Sequence, residues 1–401
     1  MFEFTFHNPT KIIFGAGKES LIGSELNAAG IKRVLLVYGQ NSVIKSGLLD
    51  RVMASLKASN IGCTQFGGVV SNPVLSHARE GVALAKGDQV EAILAVGGGS
   101  VLDEAKAIAV GALAHEDLWQ FFVGKEVERA LPVFTILTIA ATGSEMNGNS
   151  VVTNAETKQK YNIASPHVYP RVSILNPELT HSVPLNYTAY SAVDAIAHVI
   201  EGYFTKQPGT HLQDRLVEGI IKTVIETTGL IMAEPSHAKA RASFMWTATL
   251  ALNGLTPAGI GAYSFPNHMI EHALSGIYNI PHGAGLSIVM PAWMKWYVPK
   301  NPRQFARFAK EIRDYLWRQL PEGLPPHYTR LTRNEFFKRG IFARFSGSLL
   351  QAVGLAEGGA ESGHVCFFPE QESVAGHQRQ HHAVFFVEGK AVGQCKGKNG
   401  E

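Results

Sequence analysis

The chain has 401 residues, of which 45% are apolar and 17% charged, with a net charge of +3 and a pI near 8.6. That length exceeds one ordinary core, and the balance is that of a soluble globular protein with little room for disorder. No long basic run with interleaved aromatics supports nucleic-acid binding, and no uninterrupted apolar run approaches the ~20 residues of a membrane helix.

In chain order, MFEFTFHNPTKIIFGAG opens with Phe2, Phe4 and Phe6 alternating with polar residues, a strand pattern and not the layout of a signal peptide. VLLVY (34–38) reads as a buried strand and GLLDRVMASLKAS (47–59) as an amphipathic helix. A helix near 75–86 follows, then a strand, EAILAVGGG (91–99), running into a helix from Ser100, and another buried strand, LPVFTILTI (131–139). Val-, Ile- and Leu-rich strands separated by helices predict a parallel, doubly wound α/β sheet. The pattern changes around Pro177–Pro184, and from Thr188 to about Lys310 the period is helical throughout. We therefore expect an α/β domain over 1–182 and an all-helical domain over 183–312. Residues 313–401 are atypical, rich in Gly, His and basic residues, with one strand candidate, HHAVFFVEG (381–389). The cysteines, Cys63, Cys366 and Cys395, are scattered without a CxxC, which fits a reduced, cytoplasmic setting.

Three turns that follow strands carry a nucleotide signal. In AILAVGGGSVLDEAKAIAV (92–110) a strand meets Gly97, Gly98 and Gly99, then a helix beginning with Ser100. Glycines let the backbone approach a diphosphate, and a helix N-terminus offers free N–H donors and a positive dipole. This is not the GxGxxG fingerprint, and a tight βα turn alone would also account for it. Asp103 and Lys106 on that helix read either as a surface ion pair or as part of the cofactor cleft. After the strand at 34–38 the chain runs Gly39-Gln40-Asn41-Ser42, with Lys45 shortly after. A carboxylate at such a turn binds a free ribose 2′-hydroxyl and repels a 2′-phosphate. Donors and a cation without an acid favour NADP(H) over NAD(H). TIAATGSEMN (138–147) adds Thr138, Thr142 and Ser144 as donors to phosphate or ribose.

A metal signal lies in the helical half. Asp194 and His198, in SAVDAIAHVIEGYF, stand four apart on an otherwise apolar helix, where a lone aspartate is costly to bury. At i, i+4 the two share one face, so either a divalent ion or a capping or salt-bridging partner satisfies the carboxylate. His268 and His272 repeat the spacing, and His282 sits in Ile280-Pro281-His282-Gly283. One Asp and three His suit Zn2+ or Fe2+ with a position open for substrate.

GGGSVLDEAK, TIAATGSEMN, DAIAHVIEGYF and HMIEHALSGIYNIPHG, in this order and at these separations, resemble the iron-containing (group III) alcohol dehydrogenases, in particular the branch of butanol dehydrogenases and NADPH-dependent broad-range aldehyde reductases. The resemblance spans roughly residues 1–312 and includes HNPTKIIFGAG and the Ser71-Asn72-Pro73 turn. It implies a Rossmann-like domain followed by a helical metal-binding domain, the architecture also of dehydroquinate synthase, with an active site in the cleft between them. By motif it implies Asp194, His198, His268 and His282 as metal ligands and His272 as a proton-relay residue. Gly97, Gly98, Gly99 and Ser100 would hold the diphosphate, Thr138 and Thr142 would lie beside the ribose or nicotinamide, and Asn72 and Lys160 near the cofactor. Gly39 takes the position where NAD-preferring members often carry an aspartate. The implied activity is NADP(H)-linked interconversion of primary alcohols and aldehydes, and relatives suggest a homodimer. Glycerol dehydrogenase or dehydroquinate synthase-like chemistry, which shares the fold and a similar site, is one competing reading; an impaired cofactor- or metal-binding relic is another, because the resemblance stops near Ile312.

Overall fold

The computed structural model describes residues 1–206 and 209–313 and two short strands, 386–387 and 390–391. Eight strands precede the helical half: β1 (Lys11–Phe14), β2 (Arg33–Tyr38), β3 (Gly62–Phe66), β4 (Ala92–Gly98), β5 (Val133–Ile139), β6 (Asn149–Asn154), β7 (Gln159–Ala164) and β8 (Val172–Leu175). Between them run α1 (Ile22–Ala28), α2 (Ser42–Lys45), α3 (Leu48–Ala58), α4 (Leu75–Gly87), α5 (Gly99–Leu113) and α6 (Trp119–Phe122). Six strands form one parallel sheet in the order β1-β8-β5-β4-β2-β3, and β6 and β7 form a separate antiparallel hairpin.

The sheet is covered on both faces, which is why its strands read as continuous apolar runs. Side chains alternate across a strand, so Val34 and Leu36 of β2 join one core with Leu26 of α1 and Val52 and Leu56 of α3. Leu35 and Val37 join the other, with Leu102, Ala105 and Ile108 of α5. That second core continues without a break into Val193, Ile196 and Ile200 of the helical half. Burying α5 on all sides takes Asp103, Glu104 and Lys106 inside with it.

The chain order reverses between β2 and β4. From β2 it runs outward to β3, and from β4 it runs the other way to β5. In such sheets the crevice beyond the carboxyl ends of the two strands is where ligands bind. The turns at Gly39 and at Gly97–Gly99 flank that crevice.

The helical half is α7 (Leu185–Thr205), α8 (His211–Ala233), α9 (Ala238–Ala251), α10 (Pro266–Tyr278), α11 (His282–Tyr297) and α12 (Pro302–Phe308). α7 packs against α8, α9 and α11, and Phe204 stacks on Phe305 with ring centroids 3.8 Å apart. No helix among the described residues is long and apolar enough to cross a membrane.

One local expectation changes. Residues 1–9 form no strand, and Phe2, Phe4 and Phe6 are each about half exposed. Alternation makes a strand only where a neighbouring strand supplies hydrogen bonds; this segment has Phe2 N–H donating to Gly259 O (3.0 Å) instead. In the strand candidate at 381–389 the described residues are the strand Phe386–Val387, paired antiparallel with Lys390–Ala391. The rest of it, like most of 313–401, lies outside the described residues.

Candidate active site

α7 carries Asp194 and His198 one turn apart, α10 carries His268 and His272, and His282 begins α11. Oδ1 of Asp194 lies 3.4 Å from His198 Nε2, 3.6 Å from His268 Nε2 and 3.5 Å from His282 Nε2. Donor atoms ~2.0–2.1 Å from an ion at the centre of a tetrahedron stand about 3.4 Å apart. Asp194, His268 and His282 have ligand atoms within 4.8 Å of one another and could hold an ion, His198 Nε2 stands at the same spacing from Asp194 Oδ1, and a donor set of one oxygen and imidazole nitrogens suits iron or zinc. Asp194 Oδ1 and His268 Nε2 are buried and make no hydrogen bond in the protein, which an ion between them would satisfy.

At Asp194 and His198 the protonation states point the same way, whereas His268 without an ion would keep a proton that an ion has to displace. Burial, opposed by Asp194, drives the His198 imidazole down to about 3, so it stands neutral with a lone pair free. Despite burial, the three histidines hold the Asp194 carboxyl far below its ordinary range. Burial also opposes a charge on His268, but the carboxylates of Asp194 and Glu201 outweigh it and raise that imidazole to about 9.

Two glutamates outside the sequence expectation orient the ligands. Glu201, one helical step beyond His198 on α7, pairs with His268 Nδ1 and accepts the backbone N–H of Asn267 (2.7 Å) and of His268 (3.3 Å). It thus caps α10 and leaves Nε2 of His268 facing Asp194. Glu271 pairs with His282 Nδ1, accepts the hydroxyl of Ser275 and lies 3.6 Å from Lys160 Nζ. A carboxylate on the far nitrogen fixes the tautomer and raises ligand basicity. The glycine after His282 has a packing reason: a Cβ on Gly283 would stand 2.2 Å from Tyr190 O, so only glycine lets α11 approach α7 this closely.

His272 stands outside the Asp194 cluster. Its ring centroid is 5.5 Å from that of His282 and 6.3 Å from that of His268. Burial first, then the charge of Lys160 and the neighbouring histidines, holds it well below the ordinary imidazole range. Glu271, His272 and His282 are also close enough to hold an ion, but Glu271 is already committed to His282, Ser275 and Lys160.

Two cavities meet at these residues. A cleft of about 560 Å³ runs from Gly39, Asn41 and Ser42 past Gly97, Gly98, Gly99, Ser100, Thr138 and Thr142 to Asp194 and His282. A cavity of about 300 Å³ is lined by His198, His268, His272 and His282, by the apolar Leu252, Phe265 and Met269, and by Asn72, Asp103, Ser144 and Lys160. Ser100, Thr142 and His282 border both. The glycines of the first cleft are needed for packing as well as access: a Cβ on Gly97 would meet Val101 at 2.5 Å, and one on Gly99 would meet Thr142 Oγ1 at 2.4 Å.

Five of the residues expected at the cofactor do not line the larger cleft. Asn72, Asp103, Ser144 and Lys160 line the smaller cavity, and their polar groups are engaged within the protein. Asn72 Nδ2 donates to Ile280 O (3.0 Å), and Lys160 Nζ donates to Asn72 Oδ1 (3.0 Å). Ser144 Oγ donates to Asp103 Oδ1 (2.6 Å). Lys45 is exposed on α2 and lines neither cavity. Nor are Asp103 and Lys106 a surface ion pair: both are buried, and Lys106 bonds the 144–149 turn.

Comparison with known proteins agrees with this architecture. The family model for iron-containing alcohol dehydrogenase matches residues 9–177, and that for the C-terminal part of the Fe-containing alcohol dehydrogenase family matches 188–319. The chain is 44% identical to the probable NADH-dependent butanol dehydrogenase 1 of Bacillus subtilis, over 78% of this chain and 81% of that one. It is 39% identical to the NADPH-dependent aldehyde reductase YqhD of Escherichia coli, over 73% and 75%. The crystal structure of the NADH-dependent butanol dehydrogenase A of Thermotoga maritima superimposes with a TM-score of 0.80 at 44% identity, covering 88% of this chain and 87% of that one. This chain belongs to the iron-containing alcohol dehydrogenase family, within its butanol dehydrogenase and aldehyde reductase branch.

Proposed function

We propose that the protein is a metal-dependent, NADP(H)-linked alcohol dehydrogenase that interconverts primary alcohols and aldehydes. The observation that carries this reading is the convergence of three imidazole Nε2 atoms on one unpartnered carboxylate oxygen, where the two cavities meet. Residues 1–182 form the cofactor domain and 183–312 the catalytic domain. Asp194, His198, His268 and His282 hold Fe2+ or Zn2+. The cleft from Gly39 to Thr142 takes the dinucleotide, with its diphosphate at Gly97–Ser100, and the smaller cavity takes the aldehyde.

An ion held here supplies Lewis acidity toward a carbonyl oxygen, and a nicotinamide in the larger cleft supplies hydride. The protein's own part is positioning and proton handling. Leu252, Phe265 and Met269 exclude water from the aldehyde chain, and Glu201 and Glu271 fix the histidines that face it. His272, neutral and one turn from a ligand, accepts or returns the proton on the alcohol side.

The choice of NADP(H) rests on the turn Gly39-Gln40-Asn41-Ser42, which brings no carboxylate to the adenosine end of the cleft. The Bacillus relative is named NADH-dependent and the E. coli relative NADPH-dependent. The deciding experiment measures metal content of the purified protein and its kcat/KM for butanal with NADPH and with NADH. Reduction by NADPH that is lost on chelation and restored by Fe2+ or Zn2+ supports the reading. Full turnover without metal overturns the metal assignment, and a preference for NADH overturns the cofactor assignment. We propose a homodimer, for which light scattering at twice the chain mass is the test.

A further inference from the structure

The three histidines around Asp194 are not held alike. Nδ1 of His268 is paired with Glu201, and Nδ1 of His282 with Glu271. Nδ1 of His198 is buried and, among the described residues, makes no hydrogen bond within the protein. A histidine that ligates a metal almost always donates its other N–H to a carboxylate, carbonyl or water, and losing that partner costs about 10–100-fold in metal affinity. His198 therefore lacks, within the protein, the support that the other two have.

Its place in the cluster differs as well. Asp194, His268 and His282 each offer a ligand atom within 4.8 Å of the other two, and among the described residues His198 belongs to no such trio. His198 Nε2 does stand 3.4 Å from Asp194 Oδ1. Its ring, however, lies stacked on that of His268, with centroids 4.7 Å and planes 19° apart. The lone pair of an imidazole nitrogen lies in the ring plane, so stacked rings aim along nearly parallel planes and do not converge on one point. The rings of His268 and His282 are tilted by 53°, which lets their nitrogens meet at one ion. The His198 ring also borders two open spaces, the 300 Å³ cavity and a second of about 20 Å³ lined with Gly202, Gln213 and Val217. Without a bond at Nδ1, packing alone holds the ring, and it has room to shift.

We infer that Asp194, His268 and His282 carry the affinity for the ion, and that His198 is a displaceable fourth donor, completing the coordination without holding it. The inference rests on the proposed metal site and ranks the residues within it. Such a donor lets the coordination number change while three fixed ligands keep the ion in place.

The test strips the full-length protein of metal and returns Zn2+ or Co2+ to wild type, His198→Ala, His268→Ala and His282→Ala. Competition against a chelator reads affinity, and the visible absorption of the Co2+ forms reads coordination. His198→Ala is expected to raise the Zn2+ Kd less than about tenfold, against about a hundredfold or more for the other two, which lose a ligand together with its carboxylate pairing. The Co2+ spectrum of His198→Ala should nevertheless differ from that of wild type, because one donor has gone. A Zn2+ Kd raised in His198→Ala as far as in the other two overturns the inference, whether the common effect is large or small. An unchanged Co2+ spectrum in His198→Ala overturns it as well, since the residue would then be no donor. If His198→Ala does not fold, His198→Phe, which keeps a ring and removes both nitrogens, decides by the same two readings. A wild type that binds neither ion sinks the proposed metal site and this ranking with it, whereas a failure confined to the comparison of variants leaves that site standing.

Discussion

Glu201 of α7 pairs with Nδ1 of His268 while accepting the amides of Asn267 and His268, so one buried carboxylate both starts α10 and aims its histidine at Asp194. Replacing it with glutamine keeps the shape and removes the charge. Glu201→Gln is expected to weaken metal binding about 10–100-fold, the usual effect of losing a ligand's carboxylate partner. Competition against a chelator measures this, and unchanged affinity would remove Glu201 from the metal site.

His268 and His272 stand one turn apart, yet only His268 faces Asp194. His268→Ala should lose metal and activity together. His272→Ala should retain the metal while turnover falls about a hundredfold or more. Metal analysis beside steady-state rates separates them, and loss of metal from His272→Ala would make that residue a ligand.

Gly39 has room for a side chain, since a Cβ there would sit 3.7 Å from Val101 Cγ2 and 3.7 Å from Val69 O, both ordinary contacts. A carboxylate at this point would repel a ribose 2′-phosphate and accept from a 2′-hydroxyl. Gly39→Asp is expected to lower kcat/KM for NADPH about tenfold or more while leaving or improving that for NADH. A parallel fall for both coenzymes would place the adenosine elsewhere.

A pH effect unrelated to the metal follows from Glu104, buried on α5 against His77 (2.5 Å). Burial raises its carboxyl from 4.5 to about 7, with His77 opposing the shift. From about pH 4.5 to about pH 7 the folded protein keeps a proton that the unfolded chain has released, so stability falls as pH rises through that window. The loss is at most about 3 kcal/mol. Denaturant midpoints across the window measure it, and Glu104→Gln should flatten the slope. An identical slope in that variant would assign it to other groups.

Periodicity made the sheet legible, because buried parallel strands and their helices leave unbroken apolar runs such as VLLVY and LPVFTILTI. It also made the metal residues legible, since histidines at i, i+4 on an apolar helix stand out. Glu201 did not stand out, although it continues the same helical face as Asp194 and His198, because a glutamate becomes informative only when its distant partner is known. Lys106 read either as a surface residue or as part of the cofactor cleft for a similar reason: the oxygens that accept it lie about forty positions away and are three backbone carbonyls and two side-chain oxygens. The β6–β7 hairpin, which brings Lys160 to Asn72, has too many polar residues to read as strand. The phenylalanines at the start misled in the opposite sense, showing a strand's alternation with no strand beside them.

The place of β1 at the edge of the sheet has a consequence for how the protein is made. Lys11 pairs with Val172 and Phe14 with Leu175, so among the described residues β1 has its one sheet partner in β8, which is made some 160 residues later. β2, β3, β4 and β5 can assemble among themselves as they emerge, whereas Lys11–Phe14 waits for the whole domain to be synthesised. Its pairing cannot precede the synthesis of β8, and a nascent chain arrested before residue 172 would leave that strand without its partner.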